Sequence, residues 1–416
     1  MAIQELINGN SEHEKLTISE KRREVQACER ALKGAAGVTH VSNELTYLLP
    51  DDSTGDLHNT FVQSTNTTSA SINVLLATAA KTVFTSYDDS FSEVVGPGAT
   101  ARLLANRPGS GAFYELGAYI PTLNEVWFTS TFTNYPTPGY ITAYNMRTHE
   151  FRNITQVPYG AGGYFFDGSV YIGGLTPGAG VVAVDPSTLS TKTIFNSYFG
   201  LPISLVDDLV WVTPPGSKSS YLFFTSFFCA VEPGAALPKL DRPVALPNGV
   251  WRWDPQEKVL LPVISRLDIT IPNGIRVSPD QKTLYITDSL STGAGGCGLG
   301  DQGFAPTGGP NIYAYDLNAE ALPVNKRVFG LARTGYADGI HVDDAGRVWT
   351  AEGEGIVVRN ASGKVLGVFN AAAFGIEASG GIQIANFAIA SNTLFVAAFD
   401  KLYAVELAQV VALGQC

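Results

Sequence analysis

A pair of strand-like segments recurs along this chain. The first member begins with Gly or a polar residue, continues with apolar residues and ends in small or acidic side chains; its six copies are NEVWFTS (124–130), GSVYIGG (168–174), SYLFFTS (220–226), KTLYITD (282–288), GRVWTAE (346–352) and NTLFVAA (392–398). A second segment follows each copy, as YITAYNM (140–146), VVAVDPS (181–187), VWRWDPQ (250–256), IYAYDLN (312–318), IVVRNAS (356–362) and LYAVELA (402–408). Alternation with a period of two residues, bounded by Gly, Pro, Asn and Asp, is typical of β-strands.

Six strand pairs in one fixed order predict an all-β protein, a six-bladed β-propeller closed in a ring. A two-sheet sandwich is the alternative, but it does not predict six copies of one unit. We expect residues 81–106, which precede the first copy, to help close the ring. Residues 1–80 lie outside the repeat and are expected to form an N-terminal extension, helical near 12–33 and otherwise irregular, before a propeller of residues 81–416.

Composition narrows the range of partners. The 416-residue chain carries a formal net charge of -11, which repels the phosphates of nucleic acid and anionic membrane surfaces. No stretch approaches the roughly 18 apolar residues of a membrane span, and residues 1–34 lack the apolar segment of a secretory signal. We therefore expect a cytoplasmic protein that acts on small molecules, with no nucleic acid or membrane partner; its oligomeric state stays open.

The four cysteines do not suggest a zinc site or a disulfide scaffold. Cys28, Cys229, Cys297 and Cys416 stand far apart, without a CxxC pair, whereas those sites usually bring cysteines together at short spacings. Reduced thiols are the favoured interpretation. A bridge between Cys229 and Cys297 is the alternative.

Oxygen-bearing side chains stand eight to thirteen positions before four of the repeats: Glu115, Asp207, Asn273 and Asp338. The innermost strands of a propeller face its axis, so these side chains should meet in the central channel. Carboxylate and amide oxygens are the ligands that hard divalent cations prefer. The four residues are therefore predicted metal ligands, with Ca²⁺ favoured and Mg²⁺ as the alternative.

The equivalent positions of the other blades leave open which further side chains face the axis. An aspartate before a glycine is often only a turn residue, and it is the recurrence that supports a shared site. Asp208 could face the axis in place of Asp207, because a shift of one residue moves a side chain to the other face of a strand. The second blade offers Gly160 to Gly163, and the last offers Gln383 and Asn386.

Several blocks resemble the senescence marker protein/gluconolactonase family, and more closely its fungal lactonohydrolase branch. The resemblance runs from about residue 84 to 405 and includes SYDDSFSEVVGPGATARLLAN (86–106), FYELGAYIPTLNEVWFTS (113–130), NSYFG (196–200), IPNGIRVSPDQKTLYITDS (271–289) and YADGIHVDDAGRVWTAEGEGIVV (336–358). It implies a propeller with a divalent metal, often calcium, in its channel. The family's ligands correspond to Glu115, Asp207, Asn273 and Asp338.

The chain departs from the fungal hydrolases beside these ligands. Tyr114 stands where they carry His, and GLPISLVDD (200–208) replaces a stretch like GRQFNSLND, which puts Leu201 in place of an Arg, Ser204 in place of an Asn and Asp207 in place of the metal-binding Asn. Residues 227–249 also replace their usual loop. Loss of Arg and His removes groups that polarise a carbonyl or shuttle protons. We expect a more aromatic pocket, with walls from Phe113, Tyr114, Tyr198, Phe199, Trp211, Phe228 and Tyr336.

These departures favour a cyclase. The fold resembles that of fungal natural-product cyclases, including hetero-Diels–Alderases that join a tropolone-derived o-quinone methide to a humulene-type olefin. Such an enzyme needs an apolar cavity that orients two partners, and acids or bases that form the quinone methide. Tyr114, Glu115, Asp207 and His341 are the candidates for that proton transfer, although His341 could equally be a packing residue.

The alternative is a divalent-metal-dependent lactone hydrolase. A bound cation would polarise the lactone carbonyl, and Asp338 or Asp207 would position or deprotonate the attacking water. A scaffold that only binds other proteins is a third class, since a fold does not dictate a function. The inward-facing polar ring argues against it.

Overall fold

The computed structural model describes residues 37–131, 138–176, 178–203, 205–227, 246–289, 309–377 and 384–412. Within them, six sheets are arranged as a six-bladed β-propeller, which confirms the predicted fold. The segment at 12–33, all four cysteines, Phe228 and Gln383 lie outside the described residues. No helix in the described part of the chain is long and apolar enough to cross a bilayer.

Short helices and three strands precede the first repeat. The strands are β1 (Val38–His40), β2 (Phe84–Ser86) and β3 (Ala101–Asn106). The helices are a 3-10 turn at Asn43–Thr46, α1 (Phe61–Ser64), α2 (Ala70–Ala79) and α3 (Asp89–Val95). A second 3-10 turn, Ala371–Phe374, follows late in the chain.

Six antiparallel sheets make up the blades, and the chain enters each blade at its innermost strand. Blade 1 contains β4 (Glu115–Ile120), β5 (Glu125–Thr129), β6 (Ile141–Asn145) and β7 (Phe151–Ile154). Blade 2 contains β8 (Gly160–Phe166), β9 (Ser169–Gly174), β10 (Val181–Val184) and β11 (Thr191–Phe195). A two-stranded ribbon, β12 (Ser197–Tyr198) and β13 (Leu201–Pro202), leads to blade 3, formed by β14 (Val206–Val212), β15 (Tyr221–Ser226), β16 (Gly249–Asp254) and β17 (Val259–Ser265).

The second half of the ring repeats this order. Blade 4 contains β18 (Pro272–Val277), β19 (Thr283–Asp288), β20 (Asn311–Leu317) and β21 (Pro323–Leu331). Blade 5 contains β22 (Ile340–Val342), β23 (Val348–Glu352), β24 (Gly355–Arg359) and β25 (Val365–Asn370). Blade 6 contains β26 (Phe387–Ala390), β27 (Thr393–Ala398) and β28 (Lys401–Glu406). The repeated motifs are therefore the second and third strands of each blade.

The ring closes through strands from the start of the chain, as expected for residues 81–106. Strand β3 pairs antiparallel with β28 and completes blade 6. Strand β2 pairs antiparallel with β25 of blade 5, and β1 lies parallel to β2 at the outer edge of that sheet. Segments that precede the first repeat therefore complete the sheets of blades 5 and 6.

The innermost strands begin with an irregularity that brings their backbones close to the axis. In blades 1 to 4 the register shifts by one residue near the start of the strand, between Glu115 and Ala118 in the first of them. Such bulges bend a strand and locally break the alternation of its side chains. In β4 the bulge contains Gly117, where a Cβ would overlap the carbonyl oxygen of Phe387 in blade 6. Only glycine allows this approach of two backbones.

The close approach predicts that Gly117→Ala destabilises the protein strongly. Gly117 has a φ of +57°, so alanine adds backbone strain of about 1 kcal/mol to a clash that costs roughly 1–3 kcal/mol more. Gly168→Ala is the matched control, because Gly168 has a φ of +77° but nothing within 4 Å of an added Cβ. Urea unfolding of the two variants measures the difference, and equal losses would contradict the backbone contact.

The N-terminal extension packs on the outer part of blade 5. A small apolar cluster joins them and includes Val41, Val62 and Leu76 from the extension and Val357 and Val368 from the blade. Burial of such side chains contributes about 1.5–3 kcal/mol each. The extension is therefore attached to one blade by a core of its own.

Candidate active site

The four predicted ligands lie at the starts of innermost strands in four different blades. Glu115 is the first residue of β4, Asp207 and Asn273 are the second residues of β14 and β18, and Asp338 precedes β22 by two positions. Every one of them is at most 8% exposed. Since all the innermost strands start at the same end of the channel, the fold gathers side chains that are distant in the sequence.

The three carboxyl groups act on one another electrostatically. Burial raises the pKa of Glu115, Asp207 and Asp338 well above the ordinary range, because a low-dielectric environment disfavours the charged form. Neighbouring charges add to this effect: Asp338 raises the pKa of Glu115, Asp207 that of Asp338, and Glu115 that of Asp207. The three acids therefore form one cluster, called the carboxylate ring.

Two amides contact the carboxylate ring. The Nδ2 of Asn386, from the sixth blade, donates to Oε2 of Glu115 over 2.9 Å, and its Oδ1 accepts from the backbone N–H of Phe387 over 2.8 Å. A side-chain hydrogen bond from Asn273 partly offsets the rise in the pKa of Asp338. The buried Oδ1 of Asp338 has no hydrogen-bond partner among the described residues.

The donor chemistry of the carboxylate ring suits a hard divalent cation. Its donors are carboxylate and amide oxygens, and one buried carboxylate oxygen still lacks a partner within the described ranges. However, no three His, Cys, Asp or Glu side chains in the described part of the chain are grouped closely enough to hold one ion, and Glu115 is held by an amide instead. The oxygen set therefore fits the cation by chemistry, while Ca²⁺ or Mg²⁺ as its occupant stays a prediction.

Asp208 has a different role from its neighbour. Its Oδ2 accepts from Arg276 Nη1 over 2.7 Å and from the Ile275 backbone N–H over 3.1 Å, and the side chains of the ion pair are almost fully buried. The bulge between Val206 and Leu209 interrupts the alternation of β14. This lets adjacent aspartates both act near the axis: Asp207 belongs to the carboxylate ring, whereas Asp208 neutralises a buried arginine.

Two tyrosines lie beside the carboxylate ring. Burial raises the pKa of Tyr114 and of Tyr336 well above 10, and the charges of Asp338 and Glu115 add to the rise in both. The Tyr114 ring also packs at 5.2 Å from that of Phe399. Because their phenols stay protonated at neutral pH, both tyrosines are hydrogen-bond donors within a group of acids.

His341 lies in a different part of the channel. It borders a cavity of about 70 Å³ that Arg276 and Tyr164 also line, and its Nε2 has no hydrogen-bond partner among the described residues. Burial has the largest effect on the pKa of His341, and with the charge of Arg276 it holds that pKa well below 6.5. Hydrogen bonds with Phe387 and Asn386 raise the pKa in part. The ring is therefore neutral at pH 7. The residues that line this cavity do not include the carboxylate ring, and the catalytic role of His341 stays a prediction.

The aromatic residues predicted as pocket walls occupy varied positions. Phe113 is fully buried in a core cluster, and Trp211 stacks on Phe166 at 4.8 Å between blades 2 and 3. Tyr198 packs on Trp251 at 5.2 Å, whereas Phe199 is 93% exposed. Among the predicted wall residues, the pKa values of Tyr114 and Tyr336 are raised by the charges of the carboxylate ring. The pocket role of the other residues stays a prediction.

Two residues of this region were not singled out as site residues from the sequence. Arg276 stands inside the IPNGIRVS segment, where a charged residue among apolar neighbours on a central strand signals a buried partner. Asn386 was one of two candidates in the last blade, and nothing in the sequence distinguished it. Its contact with Glu115, 271 positions away, arises only in the folded chain.

Comparison with known proteins bears on the origin of this site. No protein-family model matches the chain. Lactonohydrolase oryL of Aspergillus oryzae is 29% identical over 284 residues, which cover 61% of this chain and 59% of that protein. A gluconolactonase of Zymomonas mobilis is 25% identical over 239 residues, which cover 54% of this chain and 57% of that protein. Over part of its length, the chain is therefore similar to a lactonohydrolase and to a gluconolactonase.

A solved structure shares the fold of this chain. A gluconolactonase from Xanthomonas campestris superposes with a TM-score of 0.59 at 17% identity, over 77% of this chain and 94% of that one. Identity at this level shows a common fold and no more. The matches span less than two thirds of the length of both curated relatives. Together, the relatives confirm the resemblance to the senescence marker protein/gluconolactonase family.

The raised pKa values predict how stability depends on pH when no cation is bound. Acids whose pKa is higher in the folded than in the unfolded state favour folding below about pH 4, and this contribution is lost as the pH rises through the folded-state values. In EDTA, we expect the free energy of unfolding to fall from pH 5 to pH 8, by about 1.4 kcal/mol per pH unit for each proton released.

Asp338→Asn tests this dependence. The change removes one carboxylate and the charge that raises the pKa of Glu115, so the loss of stability with pH should be shallower than in the parent protein. Urea unfolding at several pH values in EDTA measures both slopes. Identical slopes would mean that Asp338 does not titrate with a raised pKa.

Proposed function

We propose that this protein is a divalent-cation-dependent hydrolase of lactones. The observation that carries the proposal is the convergence of three buried carboxyl groups with two protonated phenols at one end of the channel. The relationship to a lactonohydrolase and a gluconolactonase supports the same chemistry. It favours the hydrolase over cyclisation of an o-quinone methide, for which neither of these relatives offers support.

Glu115, Asp207, Asn273 and Asp338 would hold the cation. When bound, it would supply a Lewis acid for the lactone carbonyl and favour the charged forms of the acids around it. Oxygen ligands from four blades make the site rigid, because each ligand is positioned by a strand or its immediate flank. The substrate would be an uncharged cyclic ester, since the surrounding acids disfavour an anion.

Hydrolysis requires a base for water. Asp207 or Asp338 would accept a proton from the water that attacks the carbonyl carbon. The same group would return that proton to the ring oxygen as the acyl C–O bond breaks, so that the products are a carboxylic acid and a hydroxyl group. A carboxylate held beside the reacting water can act as the general base for this transfer. The Asn386 amide holds Glu115 in one orientation beside them.

The phenols would stabilise the developing oxyanion. Tyr114 and Tyr336 keep their protons at neutral pH because of burial and the nearby acids. A hydrogen-bond donor placed where negative charge develops accelerates acyl transfer, typically by about 10²–10³-fold per donor. On this proposal, Tyr114 takes over the donor role of the His that the fungal hydrolases carry.

The proposal predicts metal-dependent opening of aldonolactones and pantolactone. EDTA should abolish turnover and Ca²⁺ or Mg²⁺ should restore it, measured as acid release at constant pH. Asp338→Asn should lower kcat by about 10²-fold or more, because it removes both a cation ligand and a candidate base. Asp52→Asn is the matched control, since it makes the same chemical change at an exposed turn and should leave kcat unchanged.

Two results would contradict the hydrolase. One is that none of these lactones is opened by protein that has bound Ca²⁺, as judged by calorimetry. The other is that turnover persists in EDTA and in Asp338→Asn. In either case, conversion of a tropolone-derived quinone methide precursor with a humulene-type olefin would be the assay for the cyclase.

A further inference from the structure

A second, larger cavity lies on the outer side of blade 5, beneath the N-terminal extension. Its volume is about 710 Å³, within the range of about 300–1,000 Å³ that small-molecule pockets occupy. None of the residues lining it belongs to the carboxylate ring. It is therefore a separate feature of the molecule, and neither the proposed hydrolysis nor the relatives account for it.

The walls of this outer cavity are mainly apolar and aromatic. Leu45 and Phe61 come from the extension, Tyr87 from the segment after β2, and Val365 and Val368 from β25. The Phe61 and Tyr87 rings pack at 6.3 Å from each other. Surfaces of this kind favour a planar or compact apolar body.

Two almost fully buried polar groups on the wall still have hydrogen-bonding capacity. Tyr87 is 6% exposed, and its hydroxyl group forms no hydrogen bond with a described residue. Glu352 is 1% exposed; its Oε1 accepts from Thr350 and from Arg359, each over 2.6 Å, whereas Oε2 is not used in these bonds. Neither the Tyr87 hydroxyl oxygen nor Glu352 Oε2 is among the fully buried atoms of the described residues that lack a partner, so both atoms keep an accessible face at which a ligand hydroxyl would form a hydrogen bond.

Every charged side chain on the wall is in an ion pair. Arg359 pairs with Glu352 over 2.6 Å and Arg333 with Glu354 over 2.8 Å, and Lys364 pairs with Asp88 over 2.7 Å. These are all the ionised side chains among the lining residues, apart from the partner Asp88. A charged ligand would have to compete with one of these ion pairs, whereas an uncharged one leaves them intact.

The extension is held rigidly enough to form one wall of the cavity. The Glu354 carboxylate accepts from the backbone N–H of Phe61 over 2.9 Å, and Arg333 Nη1 donates to the carbonyl oxygen of Asn59 over 2.7 Å. Thr334 also donates to that carbonyl over 3.0 Å. These bonds join the extension to the β23–β24 turn of blade 5 and to the loop between blades 4 and 5, and they fix the distance between the two walls.

We propose that the outer cavity is a second small-molecule site, which takes an uncharged aromatic compound carrying a hydroxyl group. The aromatic and aliphatic walls bind the body of the ligand. Its hydroxyl donates to Glu352 or accepts from Tyr87. The site is independent of the carboxylate ring, so it does not depend on the hydrolase proposal.

Binding of 1-naphthol to the full-length protein tests the site. We expect saturable binding below about 1 mM, followed by fluorescence and by saturation-transfer NMR. Naphthalene lacks the hydroxyl and 1-naphthoate carries a charge, so each should bind roughly tenfold more weakly. Tyr87→Phe should weaken 1-naphthol binding severalfold and leave naphthalene binding unchanged.

Substitutions that fill the outer cavity test whether the ligand binds there. Thr46→Trp and Val365→Trp put bulk into the lining and should each reduce 1-naphthol affinity at least tenfold. Thr46 lies in an exposed 3-10 turn, so its variant tests the site even if Val365→Trp unfolds. The matched control is Val74→Trp, at a residue of α2 that is 68% exposed and outside the lining.

Three results would overturn the second site. The first is the absence of saturable binding of 1-naphthol up to about 1 mM. The second is that Thr46→Trp binds as well as Val74→Trp. The third is that Asp338→Asn, in the central channel, abolishes binding that Thr46→Trp leaves intact; the ligand would then occupy the channel instead. Loss of lactone turnover in Asp338→Asn with unchanged naphthol binding separates this proposal from the hydrolase.

Discussion

The close contact of six strand backbones around one axis is the constraint on which the rest of the structure depends. Neighbouring innermost strands touch, and in β4 the chain passes so near the carbonyl of Phe387 that only glycine fits. Closure is enforced from outside by β3, which completes the sheet of blade 6. A ring held in this way has no freedom to move its polar side chains away from one another.

The chemistry of the channel follows from that confinement. Glu115, Asp207 and Asp338 are buried together, and the nearby arginine is already paired with Asp208. Buried like charges cannot all ionise at ordinary pKa values. In the absence of a bound cation, the carboxylate ring must therefore keep protons. The protonated phenols of Tyr114 and Tyr336 add two further hydrogen-bond donors beside it.

The outer cavity arises from a different principle. The extension adds β1 and β2 to the edge of blade 5 and buries apolar residues of its own against that blade. Where it stands away from the sheet, the gap is lined by apolar side chains and by paired charges. The channel thus concentrates unbalanced charge, whereas the outer cavity is electrically balanced, and the two would select different classes of molecule.

The sequence by itself determined the number of blades and the segment that closes them, because these depend on a repeated two-residue alternation and on the topology it implies; it also placed candidate acids at the starts of innermost strands, whose role stays a prediction. Only the tertiary structure decided between Asp207 and Asp208, since a bulge shifts register by one residue and local patterns do not reveal it. The contacts of Asn386 with Glu115 and of Arg276 with Asp208 join different blades. They depend on how far apart the closed ring holds its strands, which is a property of packing and not of any segment alone.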